Sequence, residues 1–111
     1  MQISVNMEKG HTLFRLDGRL DATQATEFTE VMQKSLREGS PNLILDCSGL
    51  SYVASMGLRC FLLAHKAAQE AKGKIVFFGL NDNVRSVFSI TSFDKIAETR
   101  TTLEEALSSL G

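Results

Sequence analysis

Ile3, Val5 and Met7 alternate with polar residues at the start of the chain, the period-two pattern of a strand with one buried face. Glu8-Lys9-Gly10-His11 follows as a turn. Thr12-Leu13-Phe14-Arg15-Leu16 returns as a second strand, which Gly18 is expected to end. After Asp21 the period lengthens: Ala25, Phe28, Met32 and Leu36 fall on one helical stripe. Asp21 and Gln24 have the spacing of a capping box, in which each side chain covers a free backbone donor at the helix start. Gly39-Ser40-Pro41, which holds the chain's only proline, is read as the stop of this helix.

Leu43-Ile44-Leu45 is apolar on consecutive residues, and so is Ile75-Val76-Phe77-Phe78. Strands buried on both faces, such as the central strands of a parallel sheet, have this composition. Between them the residues 55–71 read as a helix with Leu58, Leu62, His65, Ala68 and Ala71 at helical spacing. Asn81 and Asp82 offer caps for a short helix carrying Val84, Val87 and Phe88. Thr102 and Glu105 form a second capping box ahead of a stripe of Leu103, Ala106, Leu107 and Leu110. The order is strand, strand, helix, strand, helix, strand, helix, helix. Each strand-helix-strand step joins parallel neighbours by a right-handed crossover. The expected class is therefore α/β: a mixed sheet of about four strands, an antiparallel hairpin followed by parallel strands, packed with about four helices.

Composition narrows the function. The 111 residues suit one domain, 1–111, and 43% hydrophobic with 23% charged residues is the balance of a soluble globular protein. Twelve basic and thirteen acidic residues give a formal charge of −1, and no run of one sign suggests direct nucleic-acid binding or a membrane-surface anchor. No segment reaches the roughly 18 apolar residues of a membrane span, and the first residues lack the pattern of a secretory signal. Cys47 and Cys60 have neither CxxC spacing nor a neighbouring histidine pair. They read as buried thiols in a reducing, cytoplasmic setting.

In sheets with crossover helices, ligands and partners meet the loops that leave the C-terminal ends of the strands. Three are expected, at 18–22, 47–55 and 79–83. They gather small and polar residues: Asp21 and Thr23; Ser48, Gly49, Ser51 and Ser55; Asn81 and Asp82. Each of these also has an ordinary role as a cap or turn residue.

Leu45-Asp46-Cys47-Ser48-Gly49-Leu50-Ser51-Tyr52-Val53-Ala54-Ser55-Met56-Gly57-Leu58-Arg59 resembles the signature of STAS domains, and among them the bacterial anti-sigma factor antagonists. That family runs Leu-Asp-(any)-Ser-Gly-Leu or Val, an aromatic, an apolar residue, then Asp-Ser-Ser-Gly-Leu. Asp17-Gly18-Arg19-Leu20-Asp21-Ala22 resembles its Gly-(any)-Leu-Asp segment. Val84-Arg85-Ser86-Val87-Phe88 and Phe93-Asp94-Lys95-Ile96 are similar to its late helix and its Leu-Asp-Lys-Ile-Phe stretch. The resemblance implies a STAS fold along nearly the whole chain and phosphorylation of Ser55 by an anti-sigma factor that is a serine kinase. It further implies a metal-dependent serine phosphatase as the resetting partner, and no cofactor on the chain itself. Two positions depart from the pattern: Ala54 replaces the aspartate, and Met56 replaces the second serine. The docking surface that it implies takes in Asp21, Thr23, Ser48, Ser51, Ala54, Met56, Gly57, Arg59 and Asn81.

Ser55 opens a helix, where a serine ordinarily serves as N-cap by accepting a free amide, a role compatible with phosphorylation. A phosphate there adds about −1.5 to −2 charge to a surface that a partner must cover. Arg59 reads first as a solvated residue and second as a contact, Asp46 as an orderer of the loop, and Gly57 as a site of close approach to a partner or of close packing. Two other uses stay open. A STAS module also serves as an accessory subunit of lipid-transport or stress-signalling complexes. A thiol enzyme built on Cys47 would need a base and a lowered pKa, and neither His11 nor His65 has a motif tying it to Cys47. The sequence leaves a weak homodimer open.

Overall fold

Lys9 and Gly10 take φ of 50° and 85°, the backbone of a two-residue turn whose twist matches the strands it joins. It closes an antiparallel hairpin of β1 (Gln2–Glu8) and β2 (His11–Leu20), with Glu8 opposite His11 and Gln2 opposite Asp17. The computed structural model describes residues 2–38 and 42–110. The helix stop expected at Gly39-Ser40-Pro41 lies outside the described residues. From β2 the chain runs through α1 (Ala22–Glu38), β3 (Leu43–Val53), α2 (Ser55–Glu70), β4 (Ile75–Phe78), α3 (Asp82–Ile90), a 3-10 turn (Phe93–Lys95), β5 (Glu98–Arg100) and α4 (Leu103–Leu110). The sheet order is β1-β2-β3-β4-β5, with every pair after the hairpin parallel.

The expected mixed α/β sheet is therefore present. The sequence reading did not resolve β5, whose Glu-Thr-Arg has no apolar alternation; its pairing with β4 holds it in the sheet. The apolar runs are buried on both faces, as expected. Phe14, Leu16, Leu45, Cys47 and Phe77 face α1, α2 and α3, while Ile44, Val76 and Phe78 face Ala106 of α4. Phe61 of α2 sits at the centre of the first layer. Its ring lies edge-on to Phe28 at 5.4 Å, Phe77 at 5.1 Å and Phe88 at 6.1 Å, the geometry favoured by ring quadrupoles.

Three expectations change. The buried face of α2 is Gly57, Cys60, Phe61, Ala64 and Ala68; of the expected stripe of Leu58, Leu62, His65, Ala68 and Ala71, Ala68 alone lies on it. Small residues let the helix sit close to the sheet, which leaves Leu58 and Leu62 on its flank, half-buried. In β1 only Ile3 packs on the core; Val5 is 50% and Met7 61% exposed, because α1 packs over β2 and makes no comparable cover for the edge strand. Gly18 does not end β2. It takes φ 108° and absorbs a slip in the β2–β3 register, as glycine does at an irregularity, and the strand continues to Leu20.

Phe61→Ala removes a ring with no solvent exposure that touches three others. It is expected to cost about 3–5 kcal/mol, measured as a lowered urea midpoint at unchanged m-value.

Candidate functional site

β2 and β3 run further than the composition suggested, to Leu20 and Val53, so Ser48, Gly49 and Ser51 lie inside β3 and not in a loop. Small polar residues resemble a loop in sequence, but the ladder accepts them where their side chains find partners. Single residues, Asp21 and Ala54, separate these strands from α1 and α2. The Ala54 amide donates to the Leu20 carbonyl at 3.0 Å. The residue preceding Asp21 is thus bonded to the residue preceding Ser55, and the starts of α1 and α2 lie side by side. Gly57 makes this possible: a Cβ there would lie 2.7 Å from the Leu20 oxygen and 2.9 Å from Val53 Cγ2. The close approach that Gly57 allows is to Leu20, within the fold.

Asp21 is the N-cap anticipated from the sequence. Its Oδ1 accepts from the Thr23 amide at 3.0 Å and the Thr23 hydroxyl at 2.7 Å, and its own amide donates to Gln24 Oε1 at 3.3 Å. The hydroxyl bond first, then the amide bond, holds its carboxyl below the usual aspartate range, because both favour the ionised form. Asp21 is ionised at neutral pH.

Ser55 differs from the expectation in one respect. It is the first residue of α2, and the N-cap is Ala54, at φ −88° and ψ 173°, whose side chain cannot cap. The Ser55 side chain is exposed, and among the described residues its hydroxyl has no hydrogen-bond partner. The first-turn amides of α2 therefore receive nothing from the N-cap side chain. Ser55, Met56 and Arg59 form one wall of an open groove of about 470 Å³; Ser92, Phe93 and Ile96 form the other. Half-buried Leu58 and Leu62 line the groove as well, so it has an apolar floor beside the serine, and Met56, 48% exposed, and Ile96, 51% exposed, make its walls apolar too. The later segment was noticed in sequence only as a motif, and Thr91-Ser92, a polar pair after an apolar helix, was the available signal for its turn. Ser92 makes that turn at φ 63°.

The structure brings Asp21, Thr23, Ala54, Ser55, Met56 and Arg59 to one edge. The remaining candidates hold the frame. The Ser51 hydroxyl donates to the Gly18 carbonyl at 3.0 Å, tying β3 to the irregular turn of β2. The Asn81 amide group donates to the Leu50 carbonyl at 2.9 Å, and its oxygen accepts the Val84 amide at 2.8 Å as the cap of α3. Ser48 donates to Asp46 Oδ1 at 2.6 Å. Sequence reasoning missed the Arg19 guanidinium, stacked 4.4 Å from the centroid of the Tyr52 ring across β2 and β3, one residue from Asp21's strand end.

Cys47 is fully buried. Burial first, and Asp46 beside it, push its thiol well above the usual range, so it does not furnish the thiolate that a cysteine enzyme requires. Among the described residues no group of His, Cys, Asp or Glu is placed to hold a metal, and no helix is long and apolar enough to cross a membrane.

A family model, the STAS domain, matches residues 2–106. The anti-sigma-B factor antagonist of Listeria monocytogenes is 30% identical over 102 residues, 88% of this chain and 89% of that protein. Among solved structures, an anti-sigma factor antagonist from Mycobacterium paratuberculosis has a TM-score of 0.89 at 19% identity, covering 98% of this chain and 92% of its own. The Bacillus cell fate determinant SpoIIAA in its phosphorylated form has a TM-score of 0.76 at 18% identity, covering 99% and 100%.

Two outcomes follow from the geometry. In Thr23→Ala the Asp21 carboxyl loses the hydroxyl bond, and carbon-detected NMR titration should move its pKa up toward the unperturbed value. Since the folded pKa is depressed, the stability that Asp21 contributes is present above about pH 4 and lost as pH falls through the folded value; Thr23→Ala should shrink that acid-side loss. Separately, Cys47 should be alkylated at least about a hundredfold more slowly in the native protein than in the urea-unfolded chain, read by mass spectrometry of the Cys47 peptide.

Proposed function

The chain belongs to the STAS domain family, and from that premise we propose that it is an anti-sigma factor antagonist whose docking is switched off by phosphorylation of Ser55. The observation that carries this reading is the exposed Ser55 hydroxyl, without a hydrogen-bond partner among the described residues, at the first turn of α2, on the edge where the starts of α1 and α2 lie side by side. A kinase can reach such a hydroxyl without unfolding the chain. A phosphate there adds about −1.5 to −2 charge next to an existing carboxylate and a groove with an apolar floor. A partner that covers Asp21, Met56, Ile96 and the Arg59 guanidinium would then enclose a dianion that it has no means to pair, and it would leave. The free first-turn amides and the positive end of the helix dipole favour the phosphate locally, so the fold persists.

In this reading residues 1–111 act as one domain in the bacterial cytoplasm. The unphosphorylated protein captures an anti-sigma factor and frees its sigma factor for RNA polymerase. The captured protein is itself a serine kinase that spends its own ATP on Ser55, and a metal-dependent serine phosphatase restores the hydroxyl. The chain needs no cofactor and contacts no DNA. Ala54, where the family pattern that the sequence resembles has aspartate, removes a second carboxylate from the kinase's approach but leaves the hydroxyl in place. Support for the reading comes from the relative named an anti-sigma-B factor antagonist and from a fold neighbour solved in a phosphorylated form.

The test mixes the protein with the anti-sigma kinases of its own genome, ATP and magnesium, and measures intact mass. One phosphate should be added to the wild type and none to Ser55→Ala. Ser55→Asp should bind the same partner at least about tenfold more weakly with an unchanged melting temperature. Phosphate on another residue, or tight partner binding by Ser55→Asp, contradicts the switch. Stable assembly with membrane-transport components instead, with no mass change, assigns the chain to an accessory role.

A further inference from the structure

β1 is an edge strand of seven residues, Gln2-Ile3-Ser4-Val5-Asn6-Met7-Glu8. The two-residue turn at Lys9 and Gly10 makes Glu8 and His11 the closing hydrogen-bonded pair. Bonded and non-bonded pairs alternate from there. The main-chain N–H and C=O groups of Ile3, Val5 and Met7 therefore point away from β2, toward the open edge. Their side chains share one face, and two of them are bare, with Val5 50% and Met7 61% exposed. Proteins ordinarily guard such an edge with lysine, proline, a bulge or a very short strand. β1 has none of these, and its one charge is Glu8 at the end.

The strand is complementary to itself. We propose that two copies of the chain associate through this edge, with their β1 strands antiparallel about a twofold axis at Val5. In that register Val5 faces Val5 of the second copy and Ile3 faces Met7 of the second copy. All of these residues present outward main-chain groups, so each pair can exchange both N–H···O bonds. The apolar side chains form one continuous strip across the seam. On the opposite face Ser4 meets Asn6 of the second copy, and Gln2 meets Glu8 of the second copy, so no like charges oppose. The contact is isologous and closes on itself, which gives a dimer and not a fibre. A seam of one strand is smaller than the roughly 1,200–2,000 Å² of standard stable interfaces, so the association is a weak one, with an expected dissociation constant of roughly 10 µM to 1 mM.

Sedimentation equilibrium tests this on the full chain. The weight-average mass should rise from 12.2 kDa in dilute solution toward twice that value by about 1 mM. Val5→Lys places like charges on the axis and should hold the protein at the monomer mass across the range, with its melting temperature retained because the side chain is half exposed. Amide hydrogen exchange in the wild type locates the seam without a mutation: exchange at Ile3, Val5 and Met7 should slow as concentration rises. A constant monomer mass, a rise that survives Val5→Lys, or a rise without slower exchange at those three amides each overturns the proposal.

Discussion

The hydrogen bond from the Ala54 amide to the Leu20 carbonyl, made at a contact with no room for a side chain on Gly57, sets the geometry on which the candidate site depends. Two crossover connections start from neighbouring strands, and nothing in that topology requires their helices to begin at the same height. Here the first turn of α2 rests directly on the end of β2. A methyl group on Gly57 would overlap the very oxygen that accepts the bond. The helix would have to lift away from Leu20 and Val53, taking Ser55 with it. Glycine carries a conformational cost in a helix of about 0.5–1 kcal/mol relative to alanine, and the close contact with β2 is what it secures.

With the two helix starts adjacent, their chemistries diverge. Asp21 satisfies its own helix: Thr23 occupies Oδ1 twice, which fixes the carboxylate and keeps it charged. Ser55 does the reverse. Because Ala54 occupies the cap position, the Ser55 hydroxyl is not consumed in holding the first turn together. One edge thus carries a fixed negative charge and, next to it, a hydroxyl free of structural duty. Ser51, Asn81 and Ser48 spend their polar groups on the strands and on α3. They keep that edge in shape from below.

Much of this was legible in the residues. The apolar runs at Leu43 and Ile75 announced strands covered on both sides, and Asp21 with Gln24 announced its cap. What escaped depends on tertiary context. The stripe of α2 was right at Ala68 and otherwise misread by about one position, because leucines outweigh glycine and alanine in any periodicity count, whereas close packing selected Gly57, Cys60 and Ala64 for the buried face. Val5 and Met7 follow a perfect alternation, yet cover for an edge strand is decided by where α1 crosses the sheet, which no local pattern encodes. β3 was cut short ahead of the expected 47–55 loop because its serines and glycine read as loop, although Ser51 finds its partner thirty-three residues away in Gly18. The role of Ser55 as first helical residue, with Ala54 as cap, turned on a one-residue boundary that sequence rarely fixes.

That one-residue boundary has a mechanistic consequence. Were Ser55 the cap, its oxygen would accept a first-turn amide, a bond worth about 1 kcal/mol, and a phosphate placed there would have to take that bond over with its own oxygens. One position later, the oxygen can be substituted with no hydrogen bond of the fold at stake. The first-turn amides, which the alanine cap leaves without a side-chain acceptor, are then available to a charged substituent. A modification at Ser55 can therefore change what the surface repels without changing what the scaffold is, because in this chain the residue that caps and the residue that carries the hydroxyl are not the same.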